Sequence, residues 1–150
     1  MFLDLSSDSG WGKISIGDWS DRISDVFNDA PFELLYLFID SCKNHKPSSM
    51  KFDAEGYEYI LTIDWNCVYI ITETEDDEVT FKKIEVNRDE LARELISDIR
   101  NNIDSCVDWC LDKLDNKQRE ERAFNLELKC KVLEGNLPSD DYVLIYKRED

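Results

Sequence analysis

Four segments with alternating polarity, separated by very short turns, constrain the fold of this chain more than any other feature. Apolar and polar side chains alternate between Tyr57 and Trp65, a period of two that is typical of a half-buried strand. Strands this close in sequence must pair antiparallel, because a parallel crossover needs a dozen residues or more. The pattern therefore predicts a β-meander, with strands at 50–54, 57–65, 67–75 and 79–86.

A long apolar stripe directly follows the meander. Asn87 and Glu90 have the spacing of a capping box at a helix N-terminus. The apolar residues behind them recur every three or four positions: Leu91, Leu95, Ile99, Ile103, Cys106, Cys110 and Leu114. This spacing predicts one long helix over about 87–114, with Cys106 and Cys110 on the same face and the stripe packed on the sheet.

The remaining segments complete the predicted fold. Predicted strands cover 2–5 and 12–18, a predicted loop covers 19–30, and predicted helices cover about 31–44 and 117–134. Residues 139–147 fit a strand by the propensity of Tyr142–Tyr146, or a helix by the start signal at Pro138. We expect a single α+β domain over 1–150, in which an antiparallel β-meander sheet packs against a long helix, with one or two further helices.

The composition is consistent with a single domain whose cysteines are reduced. The chain has 150 residues, of which 42% are hydrophobic, so a core can form without disulfides or metals. The five cysteines are odd in number and include no CxxC pair, which indicates reduced thiols and a reducing compartment. The N-terminal residues lack the pattern of a signal peptide, and no apolar run approaches about 18 residues. We therefore expect a cytoplasmic protein without a membrane span.

Charge narrows the choice of partner. The formal net charge is −16, from 34 acidic and 18 basic residues. This excess repels nucleic-acid phosphates and anionic lipid, so neither nucleic acid nor membrane is an expected partner. A basic protein partner is favoured, although high acidity also simply keeps a protein soluble.

Two features are candidate contact sites for a partner. An acidic run occupies the predicted turn of a hairpin, where it could steer a basic partner or serve only as a solvated turn: Glu73, Glu75, Asp76, Asp77 and Glu78. Trp109 falls beside the main stripe of the predicted long helix, which places it either in the core or at an interface. These six residues form the predicted partner-binding set.

Few residues suit catalysis. Because His45 is the single histidine, most metal sites and Ser-His-Asp catalytic sites are excluded. His45 itself is interpreted as a surface residue near a helix end. Carboxylates flank Gly56 (Asp53, Glu55, Glu58), and Glu127-Leu128-Lys129 matches a fragment found in some nucleases. Neither group has the basic surroundings that phosphoryl chemistry needs, and the acidic run lacks the EF-hand spacing. We expect no enzyme, no cofactor and no metal; a carboxylate-based enzyme is the least favoured alternative.

A succession of short motifs supports a resemblance. Gly10-Trp11-Gly12, then Trp19, then Phe52-Asp53-Ala54-Glu55-Gly56-Tyr57, followed by the meander and the long helix, resembles small bacterial proteins of unassigned function over residues 10–116. In size, charge and architecture the chain also resembles acidic immunity proteins encoded beside secreted bacterial toxins. That resemblance implies an inhibitor that neutralises a basic toxin domain. An adaptor or self-associating module is the alternative, and the oligomeric state remains open.

Overall fold

A computed structural model describes residues 2–5 and 10–139 of the chain. Its described strands are β1 (Leu3–Asp4), β2 (Trp11–Ile16), β3 (Trp19–Ser24), β4 (Ser48–Asp53), β5 (Tyr57–Ile63), β6 (Cys67–Thr74) and β7 (Val79–Glu85). Its described helices are α1 (Ala30–Asn44), α2 (Arg88–Asn101), α3 (Ile103–Val107) and α4 (Asn116–Gly135). The predicted α+β class is confirmed.

The predicted meander is confirmed as the larger of two antiparallel sheets, with strand order β4-β5-β6-β7. Tyr59 in β5 lies opposite Phe52 in β4 and Thr72 in β6. The inner face of this sheet is buried and supplies much of the core, including Phe52, Tyr59, Leu61, Ile63 and Ile70. The short turns between strands therefore determined the pairing, as the sequence pattern predicted.

The predicted loop over 19–30 is wrong in its first half, because Trp19–Ser24 is strand β3. It pairs antiparallel with β2, from Trp11 opposite Ser24 to Ile16 opposite Trp19, and β1 completes a three-stranded sheet. The polar composition of β3 hides it, since Ile23 is its one buried aliphatic residue. Pairing with β2 outweighs this weak local propensity.

The single long helix predicted over 87–114 is also wrong. Helix α2 ends at Asn101, the short α3 ends at Val107, and residues 108–115 are not helical. The Asn102 side chain donates to the Asp98 carbonyl (3.0 Å) at the break, and its φ of −128° leaves the helical region. Cys106 lies in α3 and Cys110 beyond it, so the two cysteines do not share a helix face.

Helices α1 and α4 confirm the predictions for 31–44 and 117–134. Helix α1 contacts β4 and β5 of the large sheet, whereas α2 contacts α1, α4 and β1, and α4 packs on α1, α2 and α3. The Asp98 carboxylate of α2 accepts the backbone N–H groups of Phe2 (2.6 Å) and Leu3 (3.0 Å), which ties β1 to the helices.

Two further predictions can be compared only with the residues that the structure describes. In the ambiguous segment 139–147, residues 140–147 lie outside them. Among the helices of residues 2–5 and 10–139, none combines the length and the apolar character needed to cross a membrane.

Candidate partner-binding surface

The two acidic turns of the large sheet lie at the same end. Strand β4 ends at Asp53 and β6 ends at Thr74, so the turns that follow them are adjacent in this antiparallel order. A Cβ atom added to Gly56 in the first turn would lie 3.5 Å from Oε1 of Glu75 in the second. The acidic run predicted at the hairpin is therefore joined by the carboxylates that flank Gly56.

We call this group the acidic end. It comprises Asp53, Glu55, Glu58, Glu73, Glu75, Asp76, Asp77 and Glu78. Lys51 lies beside it, and its Nζ is 2.9 Å from each Glu58 carboxylate oxygen. Glu58 raises the pKa of Lys51, and the nearby carboxylates of Asp53 and Glu73 add to the effect. The direction of this shift reflects a locally negative potential.

Backbone hydrogen bonds define the hairpin turn between β6 and β7. The Thr74 N–H donates to the Glu78 carbonyl (2.9 Å), and the Asp77 N–H donates to the Thr74 carbonyl (3.0 Å). Asp77 has a φ of 60°, a left-handed conformation that aspartate tolerates better than most residues. All the acidic side chains from Glu75 to Glu78 are exposed. The turn thus presents its carboxylates to solvent from an ordered backbone.

An apolar row crosses the outer face of the sheet next to the acidic end. Ile60, Ile71 and Phe81 lie opposite one another on β5, β6 and β7. Phe81 is 65% exposed and its ring stacks on Tyr69, with centroids 5.7 Å apart. The neighbouring row on the same face is Glu58, Glu73 and Val79, which belongs largely to the acidic end. Exposed apolar and acidic side chains therefore share one continuous face.

Two of the motifs behind the resemblance, those containing Trp11 and Tyr57, meet through Arg22. Its guanidinium lies 4.8 Å from the Trp11 ring centroid and 5.3 Å from the Tyr57 ring centroid. It also donates to the carbonyls of Ala54 (3.0 Å) and Glu55 (3.1 Å). Burial raises the pKa of Tyr57 to about 12, with a further contribution from the Asp21 carboxylate that accepts its hydroxyl. This cluster fixes the β4–β5 turn against β3 and so positions one side of the acidic end.

Trp109, the remaining residue of the predicted partner-binding set, is only 3% exposed. Its indole N–H donates to the Asn28 carbonyl (2.9 Å). Its ring reaches the β2 backbone, where a Cβ on Gly12 would come within 3.1 Å of it. Of the two alternatives for Trp109, the structure shows the core position.

Metal-ligating and nucleophilic residues are dispersed. Within residues 2–5 and 10–139, no three or more His, Cys, Asp or Glu side chains are grouped so as to hold a metal ion. His45 is exposed at the C-cap of α1, as interpreted from the sequence. Burial raises the pKa of Cys106 to about 12 and that of Cys130 to about 11, which keeps both thiols protonated and unreactive at neutral pH.

The chain matches no protein-family model, no curated protein and no solved structure. The resemblance to immunity proteins therefore stays a prediction.

Proposed function

We propose that this chain is a non-enzymatic acidic binding protein whose partner is a basic protein, bound over the acidic end and the apolar row. The observation that carries the proposal is the continuity of these two groups on one face of the large sheet. The most specific form of the proposal is an immunity protein that neutralises a basic toxin domain. Such a role needs a surface that both attracts a cationic protein and holds it after contact.

The two groups supply these properties separately. Exposed carboxylates at the turns raise the rate of encounter with a cationic surface, and this contribution weakens with salt. The stacked rings of Phe81 and Tyr69 offer apolar and aromatic contact area of the kind that dominates binding energy. We expect the acids to govern association and the aromatic pair to govern dissociation.

The carboxylates around Gly56 and in the Glu127-Leu128-Lys129 fragment favour binding over catalysis. Glu58 is paired with Lys51, and the Glu55 carboxylate accepts the Ser24 hydroxyl at 2.5 Å. In the Glu127-Leu128-Lys129 fragment, Glu127 is paired with Arg100 (2.7 Å), which lowers its pKa. A general acid or base requires a poised pKa in a cleft. Exposed and ion-paired carboxylates are better suited to recognition.

The test purifies each basic domain that the genes beside this one encode and mixes it with the chain. Stopped-flow mixing at about 50 and about 300 mM salt measures association, and we expect the rate constant to fall at least about tenfold. Asp76→Asn with Glu78→Gln should lower the association rate at low salt. Phe81→Ala should mainly raise the dissociation rate.

The matched control is Asp112→Asn with Glu120→Gln, which removes the same number of exposed charges far from the acidic end. It should leave both rate constants close to those of the natural chain. An association rate that responds equally to both double variants would overturn the proposed surface. Absence of any complex with the neighbouring domain would remove the immunity form of the proposal.

A further inference from the structure

Helix α4 is apolar on two opposite faces. Its inner face packs on α1 and α2 through Leu126, Cys130 and Leu133, none of which is measurably exposed. On the other side, Phe124 is 68% exposed, Leu128 45% and Val132 39%. A helix that only covers the core needs a single apolar stripe. The contacts among residues 2–5 and 10–139 do not explain the second stripe.

The exposed side of α4 has the spacing of a coiled-coil seam. Alternating steps of four and three residues lead from one end of the helix to the other, through residues that are all exposed: Lys117, Glu121, Phe124, Leu128, Lys131 and Gly135. This is the spacing of the a and d positions along which two helices can pack, here with apolar side chains at Phe124 and Leu128 in the centre. We call these six residues the outer seam.

Charge complementarity identifies the occupant as a second copy of α4 in antiparallel orientation. When Phe124 faces Leu128 of the second copy, the same register places Glu121 opposite Lys131 of that copy. The two-fold axis repeats both contacts, so two apolar layers are flanked by two ion pairs. A parallel, in-register pair would instead set Glu121 against Glu121 and Lys131 against Lys131, which is unfavourable.

Two further features fit this arrangement. A Cβ atom on Gly135 would meet no atom within 4 Å, so this end of the seam is open to the aliphatic stem of Lys117 from the second copy. Arg100 binds both Glu127 (2.7 Å) and Glu134 (2.6 Å) on the flank of α4. In this register Glu127 lies next to the two-fold axis and would approach Glu127 of the second copy, and Arg100 neutralises its charge.

We propose that this chain self-associates through the outer seam of α4, as an antiparallel and symmetric helix pair. The contact has only two apolar layers, so the dimer forms at high protein concentration and dissociates on dilution. The helices lie on the inner side of the large sheet, so the dimer leaves both acidic ends free. The proposal is independent of the identity of any basic partner.

Charge reversal tests the pairing directly. Sedimentation velocity of the full chain between about 1 and about 500 μM should show a shift from monomer to dimer. Glu121→Lys alone and Lys131→Glu alone should each weaken self-association at least about tenfold, because each sets like charges opposite one another at two symmetric positions. An equimolar mixture of these two single variants should dimerise again, since every opposed pair is then of opposite charge.

The controls are Asp112→Lys and Lys113→Glu, which make the same charge reversals in the exposed segment between α3 and α4. They should dimerise like the natural chain, and circular dichroism should show that all variants are folded. A chain that is monomeric throughout the concentration range overturns the proposal. Seam and control variants with equal effects, or a mixture that does not recover, overturn it as well.

Discussion

The region around Arg122 and the acidic end of the sheet differ in the burial of their charges: the Arg122 guanidinium is largely buried and the turn carboxylates are exposed. Arg122 is largely buried and donates to both carboxylate oxygens of Asp29 (2.9 and 2.7 Å). It also donates to three backbone carbonyls, those of Cys106, Val107 and Trp109. At the acidic end, by contrast, the turn carboxylates extend into solvent. A buried charge destabilises the fold unless it is hydrogen-bonded or ion-paired, whereas an exposed charge stays hydrated and can interact with another molecule.

The contacts of Arg122 and Trp109 form a junction between distant parts of the chain. Arg122 comes from α4 and Asp29 from the N-cap of α1, and the accepting carbonyls lie at the end of α3 and just beyond it. Trp109 adds its hydrogen bond to Asn28, whose side-chain oxygen accepts the Asp53 N–H of β4 (3.1 Å). The junction therefore links the helices to the large sheet. Its charges contribute to stability and are not available to a partner.

The largest effect should follow from breaking this junction. Arg122→Met keeps much of the side-chain volume but leaves Asp29 and three carbonyls without their donor. We expect the free energy of unfolding to fall by about 3 kcal/mol, measured by urea denaturation. The control Arg119→Met removes ion pairs with Asp104 and Asp108 that are more exposed than the Arg122 pair. It should lower the free energy of unfolding by less than about 1 kcal/mol. Equal losses of unfolding free energy would show that the buried contacts of Arg122 stabilise the fold no more than exposed ion pairs do.

One carboxyl at the junction lacks a complete set of partners. Glu33 lies in the first turn of α1, and its Oε2 is buried without a hydrogen-bond partner among the described residues. Burial raises the pKa of Glu33, and the nearby Asp29 carboxylate adds to the rise. Between the ordinary glutamate pKa and the raised one, the folded chain therefore binds more protons at Glu33 than the unfolded chain does. This contribution to stability is present below the ordinary glutamate pKa and is lost as pH rises through the raised value.

Glu33→Gln should therefore stabilise the chain at pH 7, by up to about 1 kcal/mol, and the gain should vanish near pH 4. Thermal unfolding across this pH range measures the difference. The control Glu127→Gln has the opposite sign, because hydrogen bonding to Arg100 lowers the pKa of Glu127. Its loss of stability should be present at pH 7 and disappear on acidification. If Glu33→Gln destabilised the chain at pH 7, the claim that burial of the Glu33 carboxyl costs stability at that pH would be wrong.

The sequence predicted the parts of the fold that local spacing determines. The meander follows from turns too short for any other pairing, and α4 follows from the apolar residues spaced along one side of the predicted helix over 117–134. The end of α3 depends on Arg122, and the position of Trp109 depends on Asn28, which is 81 residues away in sequence. Contacts of this kind leave no local signal, so the single long helix was predicted in error.

The candidate surface was predictable in part. The acidic run was placed at a hairpin turn, and its union with the carboxylates around Gly56 follows once the strand order is known. The apolar row was missed, although β7 contains a signal for it. Val79 and Phe81 are at odd positions, whereas the buried Ile84 is at an even one, so they lie on opposite faces. Alternation predicted the strand, and the parity within it indicates which residues face outward.

The acidic end should show the smallest change in stability. Asp76→Asn with Glu78→Gln removes two exposed carboxylates from a crowded group, so relief of like-charge repulsion should offset any lost solvation. We expect the free energy of unfolding to change by no more than about 0.5 kcal/mol, with any gain largest at low salt. Urea denaturation at two salt concentrations measures this. A loss above about 1 kcal/mol would mean that these acids support the hairpin itself, and the contrast with the junction would then fail.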